Sequence, residues 1–385
     1  MTEFIPFSSP DIGDAEIDAV VETLRSGWVT SGPAVSAFES EFASFVGGGV
    51  EAIAVNSATA GLHLALEACG VRAGDEVIVP TWTFTATAEV VRYLGADPVI
   101  VDVDRSTLNM DIEMLTEAIT PRTKAVIVVH FGGLSLDMLA VKTALGGRDI
   151  RVIEDAAHAL PSSTGNVLVG STTHSDVAVF SFYANKTMTT GEGGMMTTRD
   201  PAIAARARTM RLHGIDRDVF DRYRSTKASW AYDIVAPGFK YNLPDPAAAM
   251  GRVQLTRVKE MRNRRQDIAN RYSDQLSGLP LDLPALGELE DTHAWHLYVL
   301  RLSSSAAPTR DEFIDGLLKR QVGCSVHFIP LHMHTYWRET LRLSDEDFPV
   351  ASAEFANTVS LPIFSRMSDD DVERVIAAVR DVLSS

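Results

Sequence analysis

The chain has 385 residues, 45% hydrophobic and 22% charged, a balance that fits a globular protein of two or three domains at ~150 residues each and excludes disorder, collagen and coiled coil. Lys and Arg number 35 against 51 Asp and Glu, and the formal net charge of −16 repels nucleic acid and anionic membrane surfaces, so an anionic ligand has to be captured by a local site. No run of ~18 apolar residues occurs, the opening MTEFIPFSSPDIGDAE has neither a basic nor an apolar leader region, and Cys69 and Cys324 lie far apart, so a cytoplasmic protein with two reduced structural thiols is expected.

In chain order, Ile17, Val20, Val21 and Leu24 recur at helical spacing and predict a helix with one buried apolar face, stopping near Gly27. A second helix is expected from Pro33, with Phe38, Phe42 and Phe45 as its stripe and Gly47 to Gly49 as its end. Between residue 50 and about 200, seven β-rich runs (IAVN, EVIVP, PVIVDVD, KAVIVVH, RVIEDAA, DVAVFSF and GMMTT) alternate with helical stretches. That alternation predicts βαβ units, and runs apolar on consecutive residues fit strands covered on both faces of a mainly parallel seven-stranded sheet. Residues 200 to 235 show no clean period and read as an excursion over the surface or a partner subunit. A long helix is expected from near Pro246, then a strand at HLYVLRL, a helix at DEFIDGLLKRQ, a strand at GCSVHFI, and a last helix with Val372, Val375, Ile376, Val379 and Leu383 on one face. The expected class is therefore α/β: a large domain over 1–250 with N-terminal helices, and a smaller α+β domain over 251–385.

Ligands of such sheets gather at the carboxyl ends of the strands, and three ends stand out. In NSATAGLHLAL the small residues at a helix start expose N–H groups that suit an anion, although taken alone the segment reads more readily as an ordinary helix cap. In VIEDAAHA an apolar strand delivers Glu154, Asp155 and then His158, a carboxylate that needs a partner such as a protonated heterocyclic nitrogen, or else a turn cap with a core histidine. In VFSFYANKTMTTGEGGMMTT a lone Lys186 stands between an apolar strand and a Gly-rich turn, where desolvation favours the free amine that condenses with an aldehyde; the alternative is a lysine on a hairpin turn. Together, an anion nest, an acid and a lysine are the three points that hold pyridoxal phosphate.

The same segments resemble the DegT/DnrJ/EryC1/StrS sugar aminotransferases, fold-type-I pyridoxal-phosphate enzymes that aminate nucleotide-linked keto sugars. The likeness runs from SGWVTSGPAVSAFESEFASFVG through GDEVIVPTWTFTATAEVV, EDAAHA and FSFYANKTMTTGEGGM to GFKYNLPDPAAAMGRVQL, SVHFIPLH and SLPIFSRMSDDDVERVI. It implies that Lys186 carries the cofactor and moves the proton, that Asp155 pairs with the pyridine nitrogen, that His158 approaches the ring hydroxyl and that Phe84 lies against the ring face. It further implies phosphate contacts from Ala58, Thr59, Ala60 and Ser181, and from Asn242 of a neighbouring subunit, hence a homodimer with shared active sites. Trp28 and Thr30 lie in the SGWVTSGP loop that relatives place near the substrate, and His327, after an apolar strand of the small domain, is a candidate to reach sugar or diphosphate, although Trp28 and His327 also read as core residues; Arg211, His213 and Arg217 are candidate phosphate contacts from a neighbouring subunit. The metal-like spacing of His332 and His334 lacks a Cys or carboxylate pair, and no metal is expected.

Departures from the pattern are Ala58, where many relatives have Gly, and Pro244 with Pro246, which remove two N–H donors beside Asn242. The intact lysine disfavours the family's dehydratases, in which histidine replaces it. The TTGEGGM turn resembles enzymes acting at C4, so the implied reaction moves an amino group from L-glutamate to a UDP-4-keto-6-deoxyhexose or 4-keto pentose. A C3 aminotransferase of a dTDP-keto sugar or an enzyme of a keto cyclitol is the alternative, and an amino-acid lyase or a non-catalytic sensor on the same fold stands outside that class.

Overall fold

Each of the seven apolar runs forms a strand of one sheet in the computed structural model, which describes residues 3–216, 232–287, 291–303, 305, 306 and 308–384. The strands are β1 (Glu51–Val55), β2 (Glu76–Pro80), β3 (Asp97–Val101), β4 (Thr123–Val129), β5 (Arg151–Asp155), β8 (Val177–Ser181) and β9 (Gly194–Thr198), with a small hairpin of β6 (Ser163–Thr164) and β7 (Val167–Leu168) after β5. Their order in space is β1-β9-β8-β5-β4-β2-β3, all parallel except β9, which runs antiparallel to both neighbours.

Alternate strand residues enter different cores, which is why the runs carry no polar alternation. Ile53, Val77, Ile127, Ile153 and Val179 pack beneath α3 (Ala58–Ala68), α4 (Ala86–Tyr93) and α7 (Pro201–Met210). On the other face, Ala54, Ala178 and Phe180 meet α2 (Pro33–Val46), and Ile78, Val126 and Val152 meet α5 (Ile112–Glu117) and α6 (Met138–Ala144). The approach of α3 to β8 needs Gly61, since a Cβ there would lie 2.6 Å from Val179 Cγ1.

Helix α1 (Asp14–Ser26) forms where expected but is rotated, so that Val20 and Val21 are only part-buried and Ile17 and Leu24 face outward. Glu16 is 1% exposed while Ile17 and Leu24 are each 52% exposed. The reason is polar: Glu16 accepts from Gly13 N, Gln254 Nε2 and Arg257 Nη1 on α8 (Asp245–Leu276), and those bonds outweigh burial of the aliphatic stripe. Residues 201–210, expected within an excursion, are the helix α7, capped by Asp200 and started by Pro201, with Ile203, Ala204, Ala207 and Met210 buried. Residues 217–231, the middle of that excursion and the place of Arg217, lie outside the described residues.

Helix α8 crosses residue 250 and joins two cores. Ala248, Leu255 and Val258 pack with the sheet side, whereas Ile268, Tyr272 and Leu276 pack in a C-terminal core with the stripe of the last helix, α12 (Asp369–Leu383). That core covers an antiparallel sheet of β10 (Leu281–Asp282), β11 (Tyr298–Leu302) and β12 (Thr358–Leu361), backed by α9 (Arg310–Lys319). Two short helices, α10 (Thr335–Leu341) and α11 (Pro349–Phe355), precede β12. Residues 323–329 do not form the expected strand. Ser325 makes one bridge to Ser360, after which the chain leaves the sheet and brings His327 and Phe328 to a cavity; β12 takes the third place instead. Ile5, from the N-terminal segment, bridges Val322 and is buried in the same core. Cys69 and Cys324 are both free thiols, and no helix among the described residues is long and apolar enough to cross a membrane.

Candidate active site

The carboxyl ends of β1, β2, β4, β5 and β8 surround a cavity of about 430 Å³, closed from the far side by His296, His327 and Phe328. At the end of β1, Ser57 is the extended N-cap of α3 and its hydroxyl accepts from Ala60 N at 3.1 Å. Ala60 is buried and its N–H is committed to that cap, which removes it from the wall, whereas Ala58 and Thr59 line the cavity with first-turn N–H groups that have no partner within the helix. The strand that leaves the lysine turn, β9, runs hard against this cap: a Cβ on Gly194 would lie 2.8 Å from Phe180 O and from Ser57 C.

At the end of β5, alternation separates the two acids. Glu154 turns away from the cavity, accepts from His130 Nε2 at 2.9 Å and bonds Ser175. Asp155 turns in. It is 6% exposed and accepts from Thr87 Oγ1 at 2.8 Å and Ala157 N at 3.2 Å, while Thr87 shares a 2.7 Å bond with Thr83. Burial pushes its carboxyl above the usual carboxylate range, against the pull of Thr87, Ala157 and the nearby Lys186 charge. His158 Nδ1 accepts from Gly132 N at 3.3 Å, and burial holds the ring well below the usual imidazole range, so the neutral ring carries its proton on Nε2 and offers it as a donor.

After β8, Ser181 accepts from Tyr183 N at 3.3 Å and stands at the rim with Tyr183 and Asn185. The turn that follows is pinned from below: Thr189 donates its hydroxyl to Phe182 O, Thr189 N donates to Gln254 Oε1, and Gln254 is held in turn by Asp11 and Glu16. Lys186 therefore projects from a fixed turn. Burial brings its amine down to about 8, Asp155 opposes that shift and Arg265 on α8 adds to it. Lys186 Nζ meets His296 Nε2 at 3.4 Å.

On the far wall, Phe328 lies 5.7 Å from both the Phe84 and His158 rings, and His327, brought by burial down to about 4, bonds Ser360 through Nδ1 at 3.2 Å. Lys186, Asp155, His158, Phe84, Ser181, Ala58, Thr59 and His327 thus meet at one cavity. Asn242, Trp28 and Thr30 do not line it. Asn242 donates to Ser31 Oγ at 2.7 Å and bonds Lys240; Trp28 packs its indole on Gly32; Thr30 O accepts from Asp245 N. The two loops are locked together because the buried Asp245 carboxylate accepts from Gly32, Ala34 and Val35 N and so caps α2. Pro244 and Pro246 are accommodated as the N-cap and first turn of α8, where no intrahelical N–H is needed. Arg211 is not available as a phosphate contact, being ion-paired with Glu39 and donating to Ala54 O; His213 is exposed. His332 is buried between Thr81 and Ser352. His296 lies outside the segments that mark the site in the sequence, and Thr87 and Gln254 fall inside such segments without a role being legible there, because Asp155 and Thr189, which they bond, lie far away in the chain.

A model of the DegT/DnrJ/EryC1/StrS aminotransferase family matches residues 10–380. The chain belongs to this family. It is 46% identical over 382 residues to the spore coat polysaccharide biosynthesis protein SpsC of Bacillus subtilis, covering 99% of this chain and 97% of that one. Among solved structures, Spr1654 of Streptococcus pneumoniae in its PMP form superposes with a TM-score of 0.92 at 34% identity, covering 99% of both chains, and its PLP form with 0.91. Helicobacter pylori PseC, an aminotransferase involved in the biosynthesis of pseudoaminic acid, superposes with 0.90 at 25% identity over the whole of both chains. The protein is accordingly a pyridoxal-phosphate-dependent sugar aminotransferase.

The cavity fits that cofactor. Among the described residues it offers two helix N–H groups without a partner, a buried carboxylate with no cationic side chain bonded to it, an amine, and a buried Asn185 Oδ1 without a partner.

Proposed function

We propose that the enzyme moves an amino group from L-glutamate to C4 of a nucleotide-linked 4-keto sugar, a UDP-4-keto-6-deoxyhexose or 4-keto pentose. The observation that carries this reading is the meeting of Lys186, Asp155 and the first turn of α3 in one cavity. When bound, the cofactor supplies the electron sink that stabilises the carbanion. Asp155 holds a proton on the ring nitrogen, His158 Nε2 donates to the ring hydroxyl, Phe84 covers the ring, and Ala58, Thr59 and Ser181 take the phosphate. Lys186 Nζ removes and returns the proton at the amino-bearing carbon, and a lysine brought down to about 8 is present as the free base in sufficient fraction to do so near neutral pH.

His327, facing the cavity from the C-terminal wall, suits a contact to sugar or diphosphate; Trp28 and Thr30 reach a substrate only from outside this chain's own cavity. The same holds for Asn242, which supports a homodimer in which it serves the partner's cofactor phosphate. The half-exposed Ile17 and Leu24 of α1 are apolar surface of the kind a subunit contact covers. The TTGEGGM turn supports amination at C4, and the likeness to SpsC supports a place in cytoplasmic polysaccharide precursor synthesis.

The test is the visible spectrum of the purified enzyme. L-Glutamate is expected to bleach the band of the lysine-bound cofactor, and only a UDP-4-keto sugar from a panel including dTDP-3-keto sugars and keto cyclitols to restore it. Restoration by a 3-keto sugar alone overturns the C4 assignment, and no response to glutamate overturns the donor.

A further inference from the structure

His296 belongs to none of the segments that mark the cavity in sequence, yet an unusual amount of structure is devoted to placing it. The preceding residue, Trp295, has a φ of 51°, a left-handed conformation that a bulky side chain keeps only when its surroundings enforce it. Here they do. Trp295 N donates to His293 Nδ1 at 2.8 Å, the His293 ring stacks on the indole at 3.9 Å, and the indole N–H donates to Gln266 Oε1 at 3.0 Å. Arg265, 3% exposed, directs Nη1 at three carbonyls, Ile363 at 2.7 Å, Trp295 at 3.1 Å and His296 at 3.5 Å. A buried guanidinium bonded to backbone oxygens and to no carboxylate among the described residues is a costly clamp.

The clamped turn presents an imidazole rather than an apolar ring at the start of β11. His296 is 5% exposed, its ring centre lies 4.3 Å from that of His158, and its Nδ1 is buried without a hydrogen-bond partner. A residue needed only to fill space there would be better apolar, because the orphaned nitrogen is left desolvated. The other ring nitrogen is the one at Lys186.

We propose that His296 is a catalytic residue of this aminotransferase, its Nε2 accepting a hydrogen bond from Lys186 Nζ so that the lysine stays aimed into the cavity and keeps its proton between transfers. The inference rests on Lys186 being the proton-carrying lysine. Lys186 donates, so Nε2 accepts and the ring proton sits on Nδ1. The ring does not take the proton itself, since burial and the neighbouring Lys186 charge hold it well below the usual imidazole range. The other titratable groups that act on Lys186 or share its cavity are Asp155 on β5, Arg265 on α8, His158, Tyr183, His327 and Glu192. Of these Asp155 is the one whose charge favours the ammonium form of Lys186, and His296 adds an uncharged acceptor that favours it further.

The test reads the lysine directly. The full-length chain, freed of cofactor, is labelled competitively with an acylating reagent between about pH 6 and 10, and the Lys186 peptide is quantified by mass spectrometry to give its apparent pKa. Loss of an acceptor for a charged donor is expected to lower that pKa by about one unit in His296→Phe, speeding labelling at neutral pH about fivefold. His296→Gln, whose longer amide reaches Nζ, is expected to restore it, and His296→Asn, whose shorter amide does not, to behave as the Phe variant. Equal apparent pKa values in all four proteins, or the same shift in all three variants, overturn the proposal. The labelling reports on Lys186 whatever sugar is used, so it fails independently of the substrate assignment.

Discussion

The two walls of the cavity are made in different ways. On the sheet wall, short sequence segments deliver their side chains at strand ends, where helix caps and turns fix them locally: Ser57 with Ala60, Asp155 with Ala157, Ser181 with Tyr183. On the C-terminal wall, His296, His327 and Phe328 are placed by contacts with residues distant in sequence, such as Arg265, Ser360 and Phe84. The sheet wall is thus a set of local instructions, and the opposite wall is a product of packing.

This contrast can be broken in several places. The largest effect belongs to Lys186→Ala, which is expected to lower turnover by about 10²–10⁴ through the proton step alone while circular dichroism shows the fold intact; substantial residual turnover would remove Lys186 from its role. Next comes Gly194→Ala. Its Cβ would meet backbone atoms of both Phe180 and Ser57 at 2.8 Å, so a loss of about 1–3 kcal/mol in urea melts is expected, with weaker cofactor retention because the α3 cap shifts.

Lys186 also leaves a mark on stability. Its folded pKa of about 8 lies below the ordinary 10.5, so between those values the folded, cofactor-free chain binds fewer protons than the unfolded one. Stability contributed through this group therefore rises with pH across that window, and the full penalty is present below it. Lys186→Met is expected to stabilise the cofactor-free chain at neutral pH by about 1–2 kcal/mol, the shift being discounted for partial solvent access, with the difference vanishing above the ordinary lysine value. A methionine variant no more stable at neutral pH would show that the amine is well solvated.

The smallest change tests the far wall. Phe328→Ala removes a ring in contact with Phe84 and His158 and is expected to raise KM for the sugar about threefold to tenfold, with kcat for the glutamate half-reaction nearly unchanged. An equal fall in both half-reactions would place Phe328 with the cofactor instead.

Much of this arrangement was legible in the residues themselves. Consecutive apolar runs announced buried parallel strands, and EDAAHA and the lysine turn announced the acid and the amine, because strand alternation and strand-end geometry act over a few residues. The orientation of α1 was not legible: an aliphatic stripe at helical spacing is the ordinary sign of a buried face, and only the meeting of Glu16 with Gln254 and Arg257 turned it outward. Nor was the detachment of residues 323–329 from the C-terminal sheet, since Val, His and Phe read as a strand until β12 occupies the place.

By itself, then, the amino-acid sequence determined the sheet, its helical cover, and the identity of the groups at the strand ends, all set by periodicity and short-range hydrogen bonding. Tertiary structure alone decided which of Glu154 and Asp155 is bonded to a histidine, which nitrogen of each histidine faces the cavity, and that His296 stands against Lys186. Those outcomes depend on burial and on hydrogen bonds between segments far apart in the chain, and a linear pattern does not carry them.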